Sequence, residues 1–190
     1  MDASKWNLRG LATVSYRILF FDEMEEYQST IRSLTEYLKA NPQNGIAYNN
    51  RGVAYSEIGQ GEEALSDFEK AMEFSPDDPN PYMNRGDLYA RAQPIGRVAE
   101  AIDDYARAIS ISPNNATFHR CMAHACLKIN RLQEAVDSFT NAIRLDPKFK
   151  RTYIERGETF EKLGNKEKAQ EDFRRARGGE TFWGRWRRHN

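Results

Sequence analysis

Apolar residues recur at spacings of three, four and seven along most of the chain. Tyr48, Tyr55 and Ile58 form one such stripe, and Leu65, Phe68, Ala71 and Met72 form the next. Each stripe predicts the inward face of an amphipathic helix. Gly59 to Gly61 lie between them and predict a turn. Pro76 ends the second helix, because proline cannot continue the hydrogen-bond ladder. Small side chains at Gly52 and Ala64 predict a close approach of the two helices. Upstream, Leu11, Val14, Ile18 and Phe21 form a further stripe, followed by Ile31, Leu34 and Leu38 ahead of Pro42. They predict another helix pair.

The pattern repeats. Tyr48, Gly52, Tyr55, Ala64, Phe68, Ala71 and Pro76 set the offsets. Tyr153, Gly157, Phe160, Ala169, Phe173 and Ala176 keep them. So do His119, Ala123, Cys126, Ala135, Phe139, Ala142 and Pro147, with His and Cys at the aromatic places. Tyr82, Gly86 and Tyr89 fit a further unit, which resumes at Ala101, Tyr105, Ala108 and Pro113 after three extra residues. The period is 34 residues over 45–78 and 116–149, and 37 over 79–115. The extra residues fall at Gln93 to Gly96, where Pro and Gly lengthen a turn. Pro81 behind Asn80 reads as a helix start. A fixed period of this size marks a solenoid, in which each unit buries its apolar face on its neighbours.

This sequence of aromatic, small, aromatic, Ala, aromatic, Ala and Pro resembles the tetratricopeptide repeat family. The resemblance implies an all-α fold: a right-handed superhelix, or α-solenoid, of about ten helices in stacked antiparallel pairs. Four repeats would occupy 45–78, 79–115, 116–149 and 150–177. Residues 1–44 would be a degenerate helix pair capping the stack. Residues 178–190 would be an aromatic and basic tail, whose Phe182, Trp183 and Trp186 either cover the last repeat or serve self-association. In this family the first helices line a concave groove that holds a peptide or helix of another protein. The resemblance places Asn49, Asn50 and Val53 there from the first unit, and Asn84, Asp87 and Arg91 from the second. Arg120, His124 and Lys128 follow from the third, and Arg151, Glu155 and Glu158 from the fourth. Asn50 and Asn84 are equivalent, and their amides can both donate to and accept from a peptide backbone. Arg91, Arg120, Lys128 and Arg151 make the later groove mixed to basic, suited to an acidic segment. Members that clamp the acidic tails of chaperones need cations where this chain has Asn49, Thr117 and Cys121, and an asparagine where it has Val53; only Asn84 fits. Shifting the window by one unit gives Met83, Asp87, Cys121, Arg151 and Glu155, so a chaperone-tail clamp is not expected.

Composition narrows the classes further. The 190 residues carry 28 Lys plus Arg and 28 Asp plus Glu, so no global attraction to nucleic acid or an anionic membrane is expected. The charges are segregated, however. Asp22 to Asp78 holds thirteen carboxylates against four cations, and Lys150 to Asn190 twelve cations against seven carboxylates. Such segregation reads first as ordinary solvated helix faces; the alternative is a dipole that favours steering of a charged partner or head-to-tail homo-oligomers. No apolar run approaches a membrane span, no secretory signal opens the chain, and Cys121 and Cys126 make no disulfide framework; a reduced, cytoplasmic setting is expected. His119, Cys121, His124 and Cys126 are the only metal-like cluster. Only Cys121 and His124 share a helix face, and two ligands do not make a zinc site. No nucleophile elbow or phosphate loop is present, and Glu62, Glu63, Asp103 and Asp104 read as solvated second-helix surface. The expectation is a non-catalytic adaptor, scaffold or chaperone-like receptor without metal or cofactor; the alternative is a structural subunit that self-associates through its C-terminal edge, ahead of a nucleic-acid-associated protein or an enzyme.

Overall fold

The computed structural model describes residues 14–91 and 97–178, with side chains from residue 23 onward. Among the described residues there are nine helices and no strand. They are α1 (Val14–Ala40), α2 (Gly45–Glu57), α3 (Gly61–Phe74), α4 (Pro79–Arg91), α5 (Val98–Ile111), α6 (Ala116–Lys128), α7 (Leu132–Leu145), α8 (Lys150–Lys162) and α9 (Lys166–Ala176). The chain divides into two compact units after Phe74. Phe182, Trp183 and Trp186 lie outside the described residues.

In the first unit α1 packs on α2, and α2 on α3. Leu38, Ala47, Tyr48 and Ala71 form its core, with Leu34 and Phe74 against it. Among the described residues before 45, the two stripes from Val14 to Leu38 share one 27-residue helix, α1, rather than a pair. The cause is the lack of a breaker: neither Gly nor Pro occurs between Gly10 and Pro42. The described turns within the α2–α3, α6–α7 and α8–α9 hairpins use a left-handed residue, Gly59 (φ 79°), Asn130 (φ 59°) or Gly164 (φ 78°). At each of these turns the backbone N–H of the following residue reaches back to a carbonyl of the preceding helix: Gln60 to Tyr55, Arg131 to Cys126 and Asn165 to Phe160.

The second unit holds three helix hairpins, α4–α5, α6–α7 and α8–α9, stacked in chain order. Asparagines start several helices. Asn115 accepts from Thr117 N at 3.0 Å and Asn165 from Lys168 N at 3.1 Å. At α4 the start falls two residues earlier than expected. Pro79 opens the helix, and the Asp78 carboxylate accepts from Asn80 N at 2.9 Å. Proline suits that first position because its missing N–H would have no intrahelical partner.

Each hairpin closes on a small residue. A Cβ on Gly52 would stand 2.8 Å from the Phe68 ring, one on Gly86 2.8 Å from Tyr105, and one on Gly157 2.7 Å from Phe173. Ala123 holds the equivalent place in the third hairpin and is fully buried, as is Phe139. Next to these glycines runs a recurring buried ion pair. Arg51 grips Asp67 through two hydrogen bonds of 2.7 and 2.8 Å. Arg85 grips Asp104 at 2.8 Å twice, and Arg156 grips Asp172 at 2.7 Å twice. Asp104 is therefore not solvated surface, unlike the exposed Glu62, Glu63 and Asp103. It precedes the buried Tyr105, on the side of α5 that meets α4.

Candidate protein-binding face

The first helices of the second unit, α4, α6 and α8, share one face. Three observations tie them together. Lys128 Nζ donates to the Ala90 carbonyl, joining the ends of α6 and α4. The Asp87 charge acts on Cys121 across the α4–α6 seam. His124 Nε2 lies 3.5 Å from Glu155 Oε2, linking α6 to α8. The structure thus pairs His124 with Glu155, sets Asp87 against Cys121, and ties Lys128 to the Ala90 carbonyl.

The remaining expected residues are distributed along this face or in the first unit. Arg151 extends along α8 and donates to Glu155 Oε1 at 2.8 Å. Arg120 donates to Thr117 Oγ1 at 3.1 Å, and its guanidinium lies 4.2 Å from the centre of the Phe149 ring. Phe149 is 39% exposed and Ile154 41%, so the α6–α8 rim carries apolar surface beside these cations. Asn84 is half-buried, and Arg91 and Glu158 are exposed. In the first unit Asn49 is buried, and its amide donates to Asn50 Oδ1 at 3.4 Å. Val53 and Asn50 line a small cavity of about 250 Å³ with Glu26, Tyr27 and Thr30 of α1. The long α1 thus supplies one wall of this cavity.

Tyr105 also reaches this face, although the sequence pattern places it in the hairpin interior. It sits on α5, a second helix, yet its hydroxyl donates to Asp87 Oδ1 at 2.6 Å. Burial, and then the nearby Asp87 charge, hold that hydroxyl protonated far above the ordinary tyrosine range. The same two causes push the Cys121 thiol up to about 12. The available signal was one substitution: the equivalent places in the other repeats hold Phe68, Phe139 and Phe173.

His119 and Cys126 point inward. His119 is buried with Nε2 3.1 Å from the Pro113 carbonyl, and Cys126 is fully buried. Among the described residues, no three His, Cys, Asp or Glu side chains converge as metal ligands. No described helix is long and apolar enough to cross a membrane. A larger cavity of about 600 Å³ lies on the second-helix side, between α7 and α9, with Arg156 and Phe160 among its lining.

Comparisons with known proteins agree with this architecture. Tetratricopeptide repeat models match residues 45–78, 80–115 and 122–181. Hsp70-Hsp90 organizing protein 2 of Arabidopsis thaliana is 37% identical over 67 residues, covering 35% of this chain and 12% of that protein. Hsp70-Hsp90 organizing protein 1 of Glycine max is 35% identical over 54 residues, covering 28% of this chain and 9% of that protein. The chain therefore spans about one-eighth or less of these relatives. Among solved structures, MamA superposes with a TM-score of 0.74 at 22% identity, over 82% of this chain and 89% of that one. The first repeat domain of Spaghetti (RPAP3), bound to the HSP90 peptide SRMEEVD, gives 0.59 at 21% identity over 64% and 94%. At such identities the superpositions speak for the fold alone. With repeat-model matches over most of its length, the chain belongs to the tetratricopeptide repeat family.

Proposed function

We propose that this protein is a non-catalytic interaction module that docks a peptide or helix of another protein on the α4–α6–α8 face. The observation that carries the reading is the construction of that face. Side chains from three helices meet there, already held by Lys128, Tyr105 and the His124–Glu155 contact. A surface fixed before binding loses little freedom on binding, which favours recognition of a flexible segment. The apolar Phe149 and Ile154 beside polar groups give such a segment both contact area and direction. The peptide-bound repeat domain among the structural neighbours, and the chaperone-organizing relatives, support this class of function. The clamp cations needed for chaperone tails are missing in both alignments, at Asn49, Thr117 and Cys121 in one and at Met83 and Glu155 in the other, so a different segment is proposed as the ligand.

The test compares the intact protein with one carrying Asn84→Ala and Arg120→Glu. Proteins captured by the first and lost by the second, at equal thermal stability, support the reading. Equal capture by both overturns docking on the first helices.

A further inference from the structure

Building on that reading, charge on the second unit's face is distributed in a way the residue count hides. Its cations are largely engaged. Lys128 donates to Ala90 O, Arg151 pairs with Glu155, and Arg120 covers the Phe149 ring. Arg91 also has a partner. Two carboxylates stand differently. Glu158 is exposed on α8 and pairs with no cation among the described residues. Asp87 receives one hydrogen bond there, from Tyr105, and forms no ion pair among the described residues, although the Arg91 charge, one turn on along α4, acts on the same Tyr105 hydroxyl.

The hydroxyl of Tyr105 is dispensable for hairpin packing. In three equivalent places a phenyl ring alone fills the space, at Phe68, Phe139 and Phe173. In the second hairpin the ring packs against Gly86 as those rings do, and the added oxygen reaches through to the binding face. Its effect is to fix Oδ1 of Asp87 and leave Oδ2 for another donor. Across the seam stands Cys121, whose thiol stays protonated and brings no competing charge. His124 lies one turn further along α6 and is turned toward Glu155.

We infer that Asp87, oriented by Tyr105, is the anchor for a lysine or arginine side chain of the docking segment. The ligand is thus a basic-residue peptide at this point, the reverse of the acidic segment that the cation count suggests. Tyr105 is a positioning residue, and Asp87 makes the contact.

Selection of a random peptide library on the immobilised full chain tests this. The expected peptides share a Lys or Arg at one position. For one such peptide, Asp87→Asn weakens binding about tenfold, as does changing its shared cation to Gln against the unaltered protein. The two changes together cost no more than either alone. Tyr105→Phe leaves the melting temperature within a few degrees and weakens only peptides carrying the cation. Enriched peptides that are lost by Arg120→Glu but indifferent to Asp87→Asn overturn the anchor and leave the docking face standing. A library that yields no binder overturns both. Should Asp87→Asn fail to fold, the Gln-for-cation peptide and Tyr105→Phe still decide the matter.

Discussion

In the fourth hairpin, Arg156 on α8 grips Asp172 on α9, and Gly157 admits the Phe173 ring against the helix backbone. In the third hairpin the same places hold Met122, Ser138, Ala123 and Phe139. Its other signature places differ as well, with His119, Cys126 and the left-handed Asn130 standing for Tyr153, Phe160 and Gly164. Both hairpins close, the third around the fully buried Ala123, Cys126 and Phe139, the fourth around the buried Tyr153, Ala169 and Asp172 with Phe160 and Phe173 partly buried. The ion pair is therefore not what makes a hairpin. Two buried charges lose hydration, and their mutual attraction roughly offsets that loss. What matters is that both partners are present or both absent. The third hairpin has exchanged the set as a whole.

The largest effect is expected when the set is broken in half. Asp172 has only 2% of its side chain exposed and Arg156 13%, so Asp172→Ala leaves a guanidinium buried without its carboxylate. That should cost about 3 kcal/mol in urea denaturation followed by circular dichroism. The double change Arg156→Met with Asp172→Ser copies the third hairpin and should cost about 1.5 kcal/mol or less. A double variant as unstable as the sum of its singles would mean that the pair is coupled to nothing, and the comparison would fail.

A middle effect is expected at the close-approach residue. Gly157→Ala gains up to about 1 kcal/mol of helix propensity and loses about 1–3 kcal/mol by pressing a Cβ on Phe173. The net should be a destabilisation of about 1 kcal/mol. Ala123→Gly in the third hairpin should also cost about 1 kcal/mol, for the opposite reason: lost propensity where no clash is relieved. If Gly157→Ala stabilised the protein, the Phe173 ring would be yielding freely, and the glycine would not be required by packing.

The repeat pattern made the hairpins legible because small and aromatic residues at fixed offsets must meet across two helices. Helix ends and the alternation of first and second helices followed from Gly, Asn and Pro. The failure at α1 has the same physics: two apolar stripes imply two helices only if something breaks the chain between them, and no Gly or Pro stands there. The Arg–Asp pairs were visible as Arg before Gly and Asp before Phe or Tyr, but a charge pattern reads as solvated surface until burial is known. On the binding face the residue types were legible and their commitments were not. Arg151 and Glu155 count as a cation and an anion in sequence, whereas in the fold they cancel each other. The Tyr105 hydroxyl needed the distance across to α4 before it meant anything.

The smallest effect separates the hairpins only in alkaline solution, and it rests on the two thiols that the third hairpin carries. Cys126 is buried in the core and Cys121 faces the seam beside Asp87. Burial raises both thiols, Cys121 to about 12 against an ordinary 9.0. Below pH 9 both folded and unfolded chains keep the Cys121 proton, and the group contributes its full stabilisation. As pH rises from about 9 to 12, the unfolded chain releases that proton while the folded chain retains it. The folded state then binds more protons, so stability falls with rising pH. Cys121→Ser should flatten this alkaline limb and leave the protein unchanged at neutral pH. At pH 8 the scarcity of thiolate should slow alkylation of Cys121 about 100-fold or more relative to a free cysteine. Asp87→Asn should speed it by removing the charge that opposes ionisation. Alkylation at the free rate would place the thiol in open water, and the seam between α4 and α6 would then not be closed as described.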